Sequence, residues 1–257
     1  METVISRDGT EIAFDRIGQG PPVVLVSGGS VDRMSLAGLA EELSSDLTVL
    51  NYDRRGRGPS GDTQPYAIER EIEDIGAVIE AAGGEAGIFG SSSGAVLAML
   101  AAAAGLPISR VAMWEPPFIP EGFPRPPEDQ VEQYETMVAE GRRGDAVEFF
   151  MAKVVGMPPG FVAGARSQPW WGATEALAHT LAYDARIMGD YRIPIDRVAN
   201  VKAETLVLAG GADMPFMRET ARALADALPK GEVRFLDGQG HDVDMSVLGP
   251  VLRAFFA

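Results

Sequence analysis

The serine cluster Gly90-Ser91-Ser92-Ser93-Gly94 is the segment of this 257-residue chain whose residue types could most directly form and break a covalent bond. The run Ala86 to Phe89 before it reads as a short strand, and the alanine-rich run Ala95 to Ala104 after it reads as a helix. The serines therefore fall at a sharp strand-to-helix turn. Glycines at 90 and 94 leave room for such a turn, and a strained central Ser92 would project above the strand end as a nucleophile. The plainer alternative is a serine-rich loop that caps a helix.

A serine hydroxyl is a weak nucleophile until a base takes its proton. The chain has no cysteine and two histidines, His179 and His241, so thiolate chemistry and disulfides are excluded and no set exists for a multi-histidine metal site. His241 stands in the glycine-rich turn Gly238-Gln239-Gly240-His241-Asp242, just past the last strand pattern, where a side chain can reach the carboxyl edge of a sheet. His179 sits in a helical pattern running from Glu175 to Met188 and reads as structural or pocket-lining. A third group must hold the imidazole in the right tautomer. Asp213, after the strand pattern Thr205 to Gly210, completes the chain order Ser, acid, His; Glu115, at the end of the strand after the serine helix, could reach the same edge and is the alternative acid. Backbone donors for a tetrahedral oxyanion would come from Ser93 and from Gly29 in the loop Ser27-Gly28-Gly29-Ser30, which is otherwise a simple strand-to-helix turn.

Two other motifs compete. Gly56-Arg57-Gly58-Pro59-Ser60-Gly61 matches the dinucleotide fingerprint in letters, but Pro59 and Pro65 keep a helix from opening inside it, so no helix N-terminus would face a pyrophosphate. Asp242 and Asp244 beside His241 could suggest a metal; Asp244 is more simply the cap of a last helix, Met245 to Phe256, and no metal or organic cofactor is expected.

The elements that must position these residues alternate along the chain. Apolar, β-branched runs at Pro22 to Ser27, Leu47 to Asp53, Ala86 to Gly90, Ile108 to Trp114, Thr205 to Gly210 and Glu232 to Leu236 read as buried strands, with amphipathic helices between most of them. Such strands need both sheet faces covered, which points to a mostly parallel α/β sheet. Thr3 to Arg7 and Thr10 to Ile17, around Asp8-Gly9, read as an edge hairpin. The alternation stops between Glu115 and Val201, a stretch rich in Pro, Met, Phe and Trp with several helical patterns. Residues 115–201 are accordingly expected to form a helical cap inserted into a core made of 1–114 and 202–257.

A formal charge of −15 repels phosphate backbones and anionic lipid, so the expected partner is a small molecule rather than nucleic acid or a membrane, with the chain a monomer or homodimer. Met1 to Phe14 lacks the pattern of a secretion signal and no run approaches the ~20 apolar residues of a membrane span. Cytoplasmic residence is the expectation.

The chain resembles the α/β-hydrolase superfamily over essentially its full length, in particular small lid-bearing bacterial members related to serine esterases and cofactor-free haloperoxidases. The resemblance is carried by Val24-Leu25-Val26-Ser27-Gly28-Gly29, Asn51-Tyr52-Asp53-Arg54-Arg55-Gly56-Arg57-Gly58, the serine turn, Leu206-Val207-Leu208 through Asp213, and Gly240-His241. It implies an eight-stranded mostly parallel sheet, a lid after the sixth strand and ester-type hydrolysis without a cofactor. Many relatives have His where Ser27 stands and a larger residue where Ser91 stands. Trp114-Glu115-Pro116-Pro117-Phe118 resembles a subgroup in which the carboxylate after that strand takes the place of the usual acid, which leaves Asp213 and Glu115 both open.

The resulting expectation is hydrolysis of an ester or lactone of a small, mainly apolar substrate through an acyl-Ser92 intermediate. Trp170, Trp171, Met157, Phe161, Met188, Met214 and Phe216 are the candidates to line its pocket. Two alternatives remain: cyclisation or carbon-carbon bond chemistry on a natural-product intermediate, motivated by Ser27 and Ser91, and a non-catalytic ligand receptor on the same scaffold.

Overall fold

Val23, Val24, Leu25 and Val26 are all fully buried, which a strand achieves only when both faces of its sheet are covered. The computed structural model, which describes every residue except Asp213 and Pro215, shows how this is done. Eight strands, β1 (Glu2–Ile5), β2 (Glu11–Ile17), β3 (Pro22–Val26), β4 (Thr48–Tyr52), β5 (Ala86–Ser91), β6 (Ile108–Trp114), β7 (Glu204–Ala209) and β8 (Gly231–Phe235), form one sheet in the order β1-β2-β4-β3-β5-β6-β7-β8. The β1–β2 hairpin and the β2–β4 pairing are antiparallel; all remaining pairs are parallel. This is the eight-stranded, mostly parallel α/β-hydrolase sheet expected above.

Alternation along each central strand sends successive side chains to opposite cores. Val24, Val26, Ile88, Val111, Met113 and Val207 face one, closed by α2 (Ile68–Ala82), α3 (Ser93–Ala103) and α10 (Phe216–Ala227), which contribute Ile75, Ile79, the whole of α3, Ala221 and Leu224. Val23, Leu25, Phe89, Ala112, Trp114, Leu206 and Leu208 face the other, closed by α1 (Ala37–Leu43) and α11 (Met245–Phe256) through Leu39, Leu43, Leu248 and Leu252. α3 is buried all round, as its run of alanine, leucine and methionine requires.

Between β6 and β7 the chain leaves the sheet for a set of short helices: α4 (Gln130–Ala139), α5 (Arg143–Phe149), α6 (Pro159–Ala165), α7 (Trp171–Ala176), α8 (Leu181–Met188) and α9 (Ile195–Val198). Tyr134, Met137, Val147, Met151, Trp171 and Leu181 give this insertion a small core of its own, while Ile187, Met188, Tyr191 and Val198 pack into the core beside α3. Two features differ from the periodicity. The pattern from Glu175 to Met188 is not one helix: α7 ends at Ala176, and a 3-10 turn, Ala178–Thr180, precedes α8. The apolar run after α5 winds as a π-helical segment, Phe150–Val155. Gly56 and Gly58 take positive φ in a tight turn, and no helix begins until Ile68.

The strand order reverses where β3 and β5 lie side by side, and the loops leaving their carboxyl ends open the crevice where open α/β sheets bind ligands. The first turn of α3 approaches β3 at backbone distance: a Cβ on Gly94 would meet the carbonyl oxygens of Val26 and Ser27, with the Ser27 carbonyl carbon 2.8 Å away. Backbone cannot give as a flexible side chain can. Gly94→Ala is therefore expected to destabilise the fold by about 1–3 kcal/mol in urea denaturation, and an unchanged midpoint would show that α3 does not need this approach.

Candidate active site

Ser92 sits between β5 and α3 with φ 57° and ψ −127°, a conformation sparsely populated by non-glycine residues. Its N–H donates to the Trp114 carbonyl at 2.9 Å, which anchors the turn to the end of β6. Gly90 is obligatory here, since a Cβ would lie 2.6 Å from the Ala95 Cα. Ser92 occupies the N-cap position of α3, yet its hydroxyl makes no capping bond, so the helix-capping alternative does not account for it.

The next residue on β6's exit, Glu115, has φ 42° and is almost wholly buried. Its Oε1 accepts from the N–H groups of Gly210 (3.0 Å) and Gly211 (3.1 Å), and its Oε2 lies 2.9 Å from His241 Nδ1. Trp114 Nε1 donates to the His241 carbonyl at 2.9 Å. Trp114 and Glu115 thus tie the loops carrying Ser92 and His241 to one corner of the sheet. A carboxylate facing Nδ1 places the ring proton there and makes Nε2 the basic nitrogen. The His241 side chain is about one-third exposed, open enough to exchange protons with a bound molecule. Asp213, the other acid candidate, lies outside the described residues.

The loop Ser27 to Val31 passes directly over Ser92: a Cβ on Gly28 would stand 3.0 Å from Ser92 Cβ and 3.7 Å from its Oγ. Gly29 and Ser93, the two oxyanion candidates, are joined through a residue that the sequence did not single out. Asp184, on α8, accepts from Ser93 Oγ (2.8 Å) and Arg54 Nη1 (2.7 Å) on Oδ1 and from Arg57 Nη2 (2.7 Å) on Oδ2. Its Oδ2 also lies 3.2 Å from where a Gly29 Cβ would be. Arg57 Nη1 donates to the carbonyls of Gly28 and Val31, the latter at 3.0 Å, and Arg54 is paired with Glu71 by two bonds of 2.8 Å. Burial pushes the Asp184 carboxyl up, but the Arg57 and Arg54 charges outweigh it and hold the group below the usual carboxylate range. The arginines lie in the Asn51 to Gly58 stretch that carries the family resemblance; nothing in the sequence marks Asp184 as their partner.

The pocket candidates are dispersed. Phe161, Trp170 and Trp171 form a line of rings, Phe161 to Trp170 at 6.4 Å and Trp170 to Trp171 at 6.3 Å, with Trp171 buried and the first two substantially exposed. Met157 packs on the same small core. Phe216 stands 5.2 Å from Phe123, and Met214 is half-buried. Met188 lines a cleft of about 180 Å³ with Val96 and Leu100, and a second cleft of about 240 Å³ lies between Phe118, Arg125 and Thr220. Neither is lined by Ser92, Glu115 or His241. Asp244 caps α11 by accepting from Ser246 N at 2.8 Å. Among the described residues no group of three or more His, Asp or Glu is arranged to hold a metal, and no helix is long and apolar enough to cross a membrane.

The profile of the Alpha/beta hydrolase family matches residues 23–249. An alpha/beta hydrolase from Sphaerobacter thermophilus DSM 20745 is 51% identical, with a TM-score of 0.92 and 100% of each chain covered. A thermophilic esterase from Thermogutta terrifontis shares the fold at 23% identity and TM-score 0.74, covering 99% of this chain and 97% of its own. The uncharacterized hydrolase YraK of Bacillus subtilis (strain 168) is 34% identical over 95 residues, a match spanning 35% of each sequence.

His179 stands apart from these groups, at the junction of insertion and core. Its Nδ1 is 2.8 Å from Arg143 Nη2 and its Nε2 3.9 Å from Asp62. Burial, then the Arg143 charge, lowers its pKa below the ordinary 6.5. The unfolded chain therefore binds this proton more readily, and stability rises with pH between the folded value and 6.5. Acidification through that window should lower the melting temperature of the wild type, and His179→Gln should flatten that part of the profile; parallel profiles would remove His179 as the cause.

Proposed function

Because the chain belongs to the alpha/beta hydrolase family, we propose that it hydrolyses an ester or lactone of a small, mainly apolar substrate, with Ser92 as nucleophile, His241 as base and Glu115 as the acid that orients it. The observation that carries this reading is the contact of the buried Glu115 carboxylate with His241 Nδ1, on the residue next to the one that receives the Ser92 N–H. In the reaction, His241 Nε2 takes the Ser92 hydroxyl proton as Oγ attacks the substrate carbonyl carbon. The carbonyl oxygen becomes an oxyanion that the N–H groups of Gly29 and Ser93 would receive, the latter at the open N-terminus of α3. Collapse expels the alcohol oxygen, which takes the proton from His241; in a lactone it stays tethered to the acyl group. Water, deprotonated by the same imidazole, then attacks the acyl-Ser92 carbonyl; the acyl–Oγ bond breaks, Ser92 Oγ takes the proton back from His241 and the acid leaves.

Glu115 is taken as the acid because its Oε2 lies 2.9 Å from His241 Nδ1 while its Oε1 accepts from the Gly210 and Gly211 N–H groups, so both its oxygens are engaged. A carboxylate held by two backbone N–H groups has one oxygen left to fix the ring, as the orienting role demands. The net charge of −15 favours neutral or cationic substrates over anionic ones.

Ser92→Ala should reduce turnover of a p-nitrophenyl ester to background and abolish labelling by a fluorophosphonate. Retained turnover rejects the nucleophile, and ligand binding without labelling of the wild type favours a receptor. Mass spectrometry of the product separates hydrolysis, which adds one water, from cyclisation, which adds none. Glu115→Gln should lower kcat by about 10³–10⁴-fold, the loss that follows when an imidazole is left in the wrong tautomer. Asp213→Asn should cost far less, and the reverse order would transfer the acid's role to Asp213.

A further inference from the structure

The loop Ser27-Gly28-Gly29-Ser30 contains two adjacent glycines, so its own conformational preferences hold the Gly28–Gly29 peptide weakly. Something outside the loop must set its direction. Arg57, only 1% exposed, reaches in from the turn after β4 and donates through Nη1 to the Gly28 and Val31 carbonyls on either side of Gly29 and Ser30. In a planar trans peptide the C=O and the following N–H point in opposite directions. An arginine that grips the Gly28 carbonyl therefore turns the Gly29 N–H away from itself, while Gly28 packs against Ser92 on the loop's other contact.

We infer that Arg57 is a positioning residue for the oxyanion site, orienting the Gly29 N–H through the opposite end of the same peptide, and that Asp184 of the inserted helices holds Arg57 for this task. The inference rests on the proposed role of Gly29 as an oxyanion donor. Three observations support it. Asp184 also accepts from Ser93 Oγ, so one carboxylate is bonded to the residue of one donor and to the arginine that grips the peptide of the other. The Arg57 guanidinium is only 1% exposed, so its bonds to the Gly28 and Val31 carbonyls are made away from water, where they hold direction most firmly. The cluster balances two guanidinium groups, Arg54 and Arg57, against two carboxylates, Glu71 and Asp184, so it adds no net negative charge beside a developing oxyanion. Since Asp184 belongs to α8, the position of the insertion is written directly into the geometry of the oxyanion loop.

Arg57→Lys tests this, because one ammonium can stay with Asp184 but lacks the planar fork that also spans two carbonyls. With a p-nitrophenyl ester, kcat should fall by about 10- to 100-fold while KM moves within about twofold, below the loss of about 10²–10³ for deleting an oxyanion donor outright. The inhibition constant of a trifluoromethyl ketone, which forms an oxyanion on the serine, should rise by the same factor as kcat falls. A lower melting temperature with kcat and inhibitor affinity intact would reduce Arg57 to a structural residue and overturn the inference. Should Arg57→Lys not fold, a crystal structure of the wild type soaked with the ketone decides. A Gly28 carbonyl held by Arg57 with the Gly29 N–H on the Ser92 side supports the inference; a carbonyl turned away from Arg57 overturns it. Absence of a covalent adduct at Ser92 in that crystal would count against the hydrolase reading separately, since the peptide direction is read whether or not Ser92 has reacted.

Discussion

The end of β6 holds the site together. Trp114 takes the Ser92 N–H on its carbonyl and gives its indole N–H to the His241 carbonyl; Glu115 gives its N–H to Leu208 and takes Gly210, Gly211 and His241 on its carboxylate. Segments from β5, β7 and the loop after β8, the last of them up to 127 residues along the chain from the pair that holds it, are fixed relative to one another by two neighbouring residues. This works because β6 lies between β5 and β7 in a parallel sheet, so all three strands deliver their carboxyl ends to the same edge. An antiparallel neighbour would have sent one of those loops to the opposite side of the molecule.

The second constraint is electrostatic. Arg54, Arg57 and Asp184 are withdrawn from water almost completely, and removing one partner of such a group leaves an uncompensated buried charge at a cost of about 3–5 kcal/mol. A neutral, well-packed cluster of the same volume would stabilise the fold at least as well. What the charges add is direction: a guanidinium offers its donors in a fixed fork, and that fork meets a carboxylate on one side and backbone carbonyls on the other. α8 thereby docks in one register against the Ser27 to Val31 loop, where an apolar surface would tolerate sliding.

How much of this was legible in the sequence depended on how local the signal is. The runs from Val23 to Val26 and from Leu206 to Ala209 declare buried strands by composition alone, and Asp8-Gly9 declares the β1–β2 turn, where Gly9 takes φ 88°. Gly90 and Gly94 announce the sharp turn at Ser92 because backbone approaches there leave no room for a Cβ. Glu115 is visible as a carboxylate at a strand end and through the resemblance of Trp114 to Phe118 to one subgroup, but its contact with a histidine far along the chain needs the sheet order to be known. Asp184 carried no signal at all. In an amphipathic pattern an aspartate reads as solvent-facing, and its burial follows from arginines 127 and 130 residues away. The break between α7 and α8 was hidden for the same reason, since the apolar period runs through it unbroken. Phe161 and Trp170 are pocket candidates by residue type, and type alone does not fix a ring's exposure: both are substantially exposed.

Backbone conformation connects these observations. Among the described residues the non-glycine positions with positive φ are Ser30, Ser92, Glu115 and Tyr191; Ser92 and Glu115 directly follow β5 and β6, and Ser30 lies in the loop that leaves β3 at the same edge. Such conformations cost on the order of 1–3 kcal/mol each and persist only where surrounding contacts over-determine them. Those contacts are present in each case: Arg57 donates to the Gly28 and Val31 carbonyls around Ser30, Trp114 accepts from Ser92, and Gly210 and Gly211 donate to Glu115. Relaxing any of the three residues to an ordinary φ would disturb these hydrogen bonds. The strain and the convergence of groups that could perform acyl transfer are thus one structural feature, sustained by the hydrogen bonds that a parallel sheet edge makes available.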